Sequence, residues 1–532
     1  MKTARLTAAM AGVVALTVSA CGVAAQSGPD RTADQRLTDG KTFTYAVPSD
    51  PGSLDPAKTV LTVANGVDLF LYDSLIDLDP HGAPVAGLAE KWEATTTTAS
   101  FTLRKAITCA DGAPLTAQDV AANIDFAGDP ASRSALTGGT VKAGTKAVAD
   151  DAAGTVTVTS GAPDAFLLRN LGSVPIVCAK GLGDRATLAK GQHGTGMFTM
   201  TENVPNDHYT LTRRKDYTWG PGQWQRTQPG LPDSVVIRVV PDMTTTANLL
   251  LSGEINAGAV TTNDQQRLRA QKLFHSDITS PIGELFFNQA PGRSGADRNV
   301  RRALVQALRL APVGKVLSGG NGFAAKGVVA LEPRPCTDDS LSGKIPGFDP
   351  AAAKAALDAA GWRPGADGIR VKDGNRLALT AVYGTQLGPT MAPAAELMQQ
   401  EWKDIGVDVA LKGVDSPGIS QVLFSTGEWD ISMAPLSIAL PSQLVPFVSG
   451  AAPPQGTNFA QIRNDGYDAL VAAAASKAGE TGCPDWAAAE SALFGRLDVV
   501  PFANRIVPVF GDSARFATTS GMLEPSSIRM YS

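Results

Sequence analysis

Residues 101–120 read FTLRKAITCADGAPLTAQDV and set out three pieces of local structure in immediate succession. Phe101 and Leu103 alternate with polar neighbours, as a half-buried strand requires. Asp111-Gly112 is a turn pair, and Asp119 stands where a helix cap is needed. Both aspartates therefore read as turn and cap residues, not as acids placed for catalysis.

Upstream, Lys2 and Arg5 precede an apolar stretch from Ala8 to Leu16, which ends in Val18-Ser19-Ala20-Cys21. A basic start, a greasy segment and small residues before a cysteine form the layout of a bacterial lipoprotein signal peptide. The apolar run is shorter than the roughly 18 to 20 residues needed to cross hydrocarbon. Residues 1–20 are expected to be removed and Cys21 lipidated, which tethers the chain to the extracytoplasmic face of a bacterial cell membrane. Residues 21–40 are polar and rich in Gly, Ser, Pro and Asp, a flexible tether reaching about 20 to 25 Å.

The rest of the chain reads as globular. Of 532 residues, 43% are hydrophobic and 18% charged, enough for a sizeable core divided over two or three domains. The formal charge is -5, and loss of Lys2 and Arg5 brings the mature chain to about -7. Nucleic acid is thereby excluded as an expected partner, because phosphate binding needs a basic field. With Cys21 assigned to lipid, Cys109, Cys178, Cys336 and Cys483 form an even set in an oxidising compartment, so two disulfides in one of three pairings are expected. No two of them lie at CxxC spacing and His81, His193, His208 and His275 are scattered, which disfavours a metal site.

Strands are expected at Phe43, Tyr45 and Val47, at Val156 and Val158, and at Val235–Val240, the last buried on both faces. Val300, Leu304, Ala307 and Leu308 recur at helical spacing and leave Arg301 and Arg302 for a solvated face. Asp349 caps a helix that opens at Pro350 and stops at Gly361. A hairpin turn at 371–375, a strand Leu377–Tyr383, a helix Pro393–Ile405 and the alternating Val407, Val409 and Leu411 then follow, the succession of an α/β unit.

From Thr42 onward the chain resembles the extracellular solute-binding proteins of family 5, which include peptide-binding and nickel-binding components of ABC importers. The resemblance rests on Ser53-Leu54-Asp55-Pro56-Ala57, Tyr72-Asp73-Ser74-Leu75-Ile76, GLAEKWE at 87–93, the 101–120 run, GTG at 194–196, GEIN at 253–256, FFNQ at 286–289 and VRRAL at 300–304, all in family order. It implies a two-lobed α/β clamp of the type II periplasmic-binding class, with mixed sheets, two hinge strands and an extra subdomain in the first lobe. The expected divisions are 41–285 for lobe I, with the subdomain at about 80–190, then 286–495 for lobe II and 496–532 for the return to lobe I. The pairing Cys109 with Cys178 and Cys336 with Cys483 is preferred, because each pair then falls within one lobe.

The resemblance also implies function. The chain would capture a small-molecule or peptide ligand, as a monomer without cofactor, and hand it to permease subunits. No GxxxxGK[ST] loop occurs, so a separate ATPase would drive transport. No GxSxG or HExxH motif occurs either, and an enzyme is not expected. Candidate ligand contacts are Asp50, Gly52 and Ser53 in the turn before Asp55-Pro56, Asn288 after the first hinge, Tyr383, and Trp429, Met433, Leu436, Ser437 and Leu440. For Asn288 a backbone-satisfying role is the stronger reading, and for the apolar candidates core packing is an equal alternative. Asp55 and Pro56 read as structural. Binders of free peptides place an aspartate near the position matching Ala439, yet no acid lies between Asp430 and Asp465. An unpaired buried ammonium costs several kcal/mol. Either another acid replaces it or the ligand lacks a free amine, and an oligopeptide-like or modified, rather apolar ligand is expected.

Overall fold

The computed structural model describes residues 36–59 and 61–532. The expected leader, Cys21 and nearly all of the expected tether lie outside the described residues. Two long antiparallel strands, Phe274–Phe287 and Val499–Gly511, form the spine of the molecule. The first is buried from Pro281 to Phe287 and mostly half-buried before that, and the second is buried along most of its length.

The two strands belong to one large mixed sheet that runs through both lobes. In one direction the spine continues through Ala257–Ala259, Thr42–Val47, Ser234–Val239, His208–Arg213 and Phe198–Val204. In the other it continues through Ile431–Ser432, Ala378–Gly384 and Asp408–Val414. Pairing is irregular between Pro281 and Glu284, midway along the spine. Gly283 is required there, since a Cβ would lie 2.6 Å from the Phe502 ring. A bulge at this point bends the pair where it passes from lobe to lobe.

The register fixes where the strand ends point. Ala46 lies level with Gly258 and Phe510, while Val382 lies level with Ser432, Phe286 and Val499. The carboxyl ends of the parallel strands in both lobes thus face the middle of the spine from opposite sides. Crevices at such carboxyl ends are where open α/β sheets bind ligands.

Local chemistry explains the elements. In the 101–120 run, Thr98–Leu103 is a strand of a four-stranded antiparallel sheet with Ala89–Ala94, Thr155–Thr159 and Lys146–Asp150. Helix Ala117–Gly128 packs on it and opens with a reciprocal capping box: the Asp119 N–H donates to Thr116 Oγ1 at 3.1 Å and the Thr116 N–H donates to Asp119 at 3.0 Å. Such caps contribute about 1 kcal/mol. Asp111 accepts from the Ala113 N–H at 3.1 Å, and Gly112 takes the positive φ that its turn needs. Helix Pro350–Ala359 is capped by Asp349, which accepts from the Ala352 N–H at 2.9 Å.

Two expectations are corrected. Strand Ser234–Val239 alternates buried Val235 and Ile237 with half-buried Val236 and Arg238, because one face carries little covering structure. Arg301 is not part of a solvated face. It is 1% exposed and donates to the carbonyls of Gly295, Leu497 and Arg496 and to Asp498 at 3.0 Å. Arg302 does remain exposed.

Cys109–Cys178 and Cys336–Cys483 are both disulfide bonded, with Cα separations of 6.2 and 5.2 Å. The second lies beside a place where the lobes touch. Ala165 and Phe166 from the first lobe pack with Leu440, Ala474 and Trp486 from the second, and Cys336 packs against them. The Gly479 N–H donates to the Ala165 carbonyl at 2.7 Å, and Asn170 bonds Ser442 at 3.0 Å and Gln443 at 3.1 Å.

Candidate functional site

The segment after Ile431–Ser432 leaves the sheet at the crevice and is pinned on several sides. The Met433 N–H donates to the Val382 carbonyl at 2.9 Å, and the Ile438 carbonyl accepts from the Ala330 and Leu331 N–H groups at 3.1 Å each. The third tie comes from the spine. Glu284, 2% exposed at the irregular pairing, accepts from the Leu436 N–H at 2.9 Å.

Glu284 alters the reading of this stretch. The segment has no acid of its own, but the crossing strand delivers one to Leu436, three residues before Ala439. Its signal in the sequence was a lone charge within the apolar run Ile282–Phe287, a residue type seldom buried without a task. Burial pushes its carboxyl up to about 8, with the Leu436 N–H pulling the other way and Glu490 adding to the rise.

A pH effect follows. The folded pKa lies above the usual 4.5, so the native state holds this proton across the window from 4.5 to about 8. The stabilising contribution is full below 4.5 and is lost as the pH climbs to about 8. Glu284→Gln is expected to lose less melting temperature than the parent between pH 5 and pH 8. Parallel thermal-unfolding curves for the two proteins would count against a buried, proton-holding Glu284.

The sequence candidates fall into three groups. Gly52, Ser53 and Ser437 are exposed, while Asp50, Tyr383 and Leu436 are half-buried. Asp50 closes its own turn, accepting from the Gly52 N–H at 2.7 Å, the Asn206 N–H and the Tyr209 hydroxyl at 2.6 Å. Burial raises its pKa, but these three donors outweigh it and the net shift is downward. Tyr383 lies over Gly413, where a Cβ would come within 2.9 Å of its hydroxyl.

Asn288, Trp429, Met433 and Leu440 are buried. Asn288 donates to the Trp429 carbonyl at 2.9 Å and accepts from the Ala290 N–H at 3.1 Å, so its amide serves backbone. Trp429 packs in the second-lobe core against Phe459, with ring centroids 5.8 Å apart. Met433 belongs to the neighbouring core cluster and Leu440 to the contact between lobes. Their side chains are committed to packing, because the chain turns inward on either side of the half-buried Leu436 and exposed Ser437. Asp55 accepts from the Ala57 N–H at 3.0 Å and pairs with Arg185.

A separate cavity of about 70 Å³, lined by Tyr72, Asp73, Asp77, Tyr217, Trp219 and Glu524, lies within the first lobe. Among the described residues no three His, Cys, Asp or Glu side chains are grouped to hold a metal ion, and no helix is long and apolar enough to cross a membrane.

Against known sequences, the pattern of "Bacterial extracellular solute-binding proteins, family 5 Middle" matches residues 83–453, well over half of the chain. The chain belongs to this family. Family 5 likeness extends to Protein XP55 of Streptomyces lividans, 28% identical over 435 residues, which are 76% of this chain and 72% of that protein. Among solved structures, a substrate binding protein from Microbacterium hydrocarbonoxydans complexed with 4-hydroxybenzoate hydrazide superposes with TM-score 0.78 at 24% identity, covering 92% of this chain and all of that one. The oligopeptide-binding protein AppA from Bacillus subtilis, in complex with a nonapeptide, gives 0.78 at 18% identity over 93% of this chain and all of its own. These likenesses establish the two-lobed clamp as the fold, and family 5 proteins are named for binding a solute.

Proposed function

We propose that this chain is the lipid-anchored receptor of an ABC importer, tethered through Cys21 on the outer side of the cell membrane. It captures an oligopeptide-like or modified peptide ligand by closing about the strands 274–287 and 499–511 and releases it to permease subunits served by a separate ATPase. Lobe I is assigned to 41–285 and 496–532, with its subdomain at about 80–190, and lobe II to 286–495. The observation that carries the reading is the bulged spine with Glu284 reaching Leu436, since it puts a functional group on the strands that pass between the lobes. A ligand that touches both lobes favours the closed arrangement by its differential affinity.

The exposed or half-buried candidates Asp50, Gly52, Ser53, Tyr383, Leu436 and Ser437 remain the proposed contacts, with Glu284 added. Glu284 supplies the carboxylate that a free ligand amine would need, and a modified ligand would meet it in its protonated form. Binding of a non-peptide solute is the second reading, favoured by the aromatic hydrazide held by the Microbacterium relative.

Native mass spectrometry of protein purified from its own host should reveal a retained peptide-like mass. Small-angle scattering should show the radius of gyration falling when that compound is added. N-acetylation should weaken binding if Glu284 pairs with an amine, and a non-peptide mass would select the second reading.

A further inference from the structure

Arg505 lies near the middle of the spine, on the strand Val499–Gly511, level with Ser280 on one side and Gly322 on the other. It is 7% exposed. A guanidinium so deeply placed normally has a carboxylate and donates all of its N–H groups. This one donates from Nη2 to the Leu387 carbonyl at 3.0 Å, and its buried Nε–H has no partner. Among the described residues it forms no ion pair, and burial alone pulls its pKa down, to about 10.

The surroundings are equally unfinished. Leu387 sits on the turn that follows strand Ala378–Gly384, at the carboxyl end that faces the spine. Gln386, one residue earlier, leaves its own buried Oε1 without a donor. Gly388 holds a φ of 118° and keeps the turn close, a Cβ there lying 3.9 Å from Arg505 Nη1. An unpartnered guanidinium N–H on the spine therefore lies against a second-lobe turn, and that turn carries an unpartnered polar atom of its own.

From this geometry we infer that Arg505 and the 385–388 turn form an anion subsite, which receives a carboxylate of the ligand. The carboxylate takes the Nε–H and a guanidinium N–H side by side, the fork geometry that suits arginine. Gln386 joins by a carboxamide flip, which exchanges its orphan oxygen for a donating amide. The ligand class is thereby narrowed to compounds bearing a carboxylate, such as a peptide with a free C-terminus. Because the group would bridge the spine and the second lobe, its binding is coupled to the hinge. The inference rests on the peptide-like reading above, but its test separates the two.

Two probe sets on the full-length mature protein decide it. In the first, thermal unfolding is followed in sodium acetate, sodium benzoate or inorganic phosphate against sodium chloride at equal ionic strength. The parent should melt a few degrees higher in the carboxylates, the increment expected of a ligand present well above its dissociation constant. Arg505→Gln and Arg505→Met should lose that increment, and Arg505→Met should melt no lower than the parent in chloride, since an uncompensated buried charge has been removed.

In the second, native mass spectrometry compares a pool of tetrapeptides with free C-termini with the same pool amidated. Amidation should reduce retention about thirtyfold or more in the parent and change nothing in Arg505→Gln. Equal retention of both pools by the parent would overturn the subsite and leave the peptide reading standing. Retention of neither pool, with carboxylate protection still dependent on Arg505, would support the subsite and remove the peptide reading. Protection by phosphate alone would overturn the ligand-carboxylate assignment in favour of a free inorganic anion.

Discussion

Asp498→Ala is expected to lower the unfolding free energy by about 3 to 5 kcal/mol, the range for breaking a buried ion pair on one side. Asp498 is fully buried and accepts from Arg301 at 3.0 Å, Asn464 at 2.8 Å and Gln289 at 3.2 Å. Removing it strands a guanidinium that is itself 1% exposed. Burial raises the Asp498 pKa on balance, while Arg301, Asn464, Arg496 and Gln289 pull it the other way. Urea unfolding of Asp498→Ala, Arg301→Met and the double variant provides the check. The double variant should be more stable than Asp498→Ala alone, and strictly additive losses would contradict the pairing.

This effect reaches beyond stability. Gln289 follows the first spine strand and Asp498 immediately precedes the second, so one carboxylate ties together the second-lobe ends of both. The irregular pairing at Pro281–Glu284 lies beyond this tie, toward the middle of the spine.

The second large effect is expected for the paired replacement Cys336→Ala with Cys483→Ala. The disulfide closes a separation of 147 residues, for which the chain-entropy relation gives about 5 kcal/mol. The Cys109–Cys178 bond closes 69 residues and should be worth only slightly less, about 4 kcal/mol. The two differ in what else they hold. Cys336 packs with Phe166, Leu440 and Trp486, whereas Cys109 and Cys178 lie in the first lobe. Loss of the second disulfide should therefore also enlarge the ligand-free molecule in scattering, and loss of the first should not. Equal scattering profiles for the two variants would remove the link between this disulfide and lobe contact.

Much of the architecture could be read before any coordinates. Strand periodicity around Phe43, Phe101 and Val156, capping at Asp349 and the two apolar runs of the spine each follow from local chemistry, which the sequence carries in full. Arg301 was misjudged because helical spacing identifies the apolar stripe but does not tell which carbonyls a neighbouring loop will bring to the stripe's edge. Trp429, Met433 and Leu440 share that limit, since a large apolar residue reads alike in a core and in a cleft. Glu284 and Arg505 were legible in principle as single charges inside apolar runs. What they do depends on the register between strands more than 200 positions apart, and no local pattern encodes it.

The contact of Phe166 with Trp486 and Leu440 bears on how such a receptor signals. The two halves meet through greasy surface of their own as well as through the spine. Bringing the halves together thus buries apolar protein surface in addition to any cargo, so part of the drive to shut comes from the protein itself.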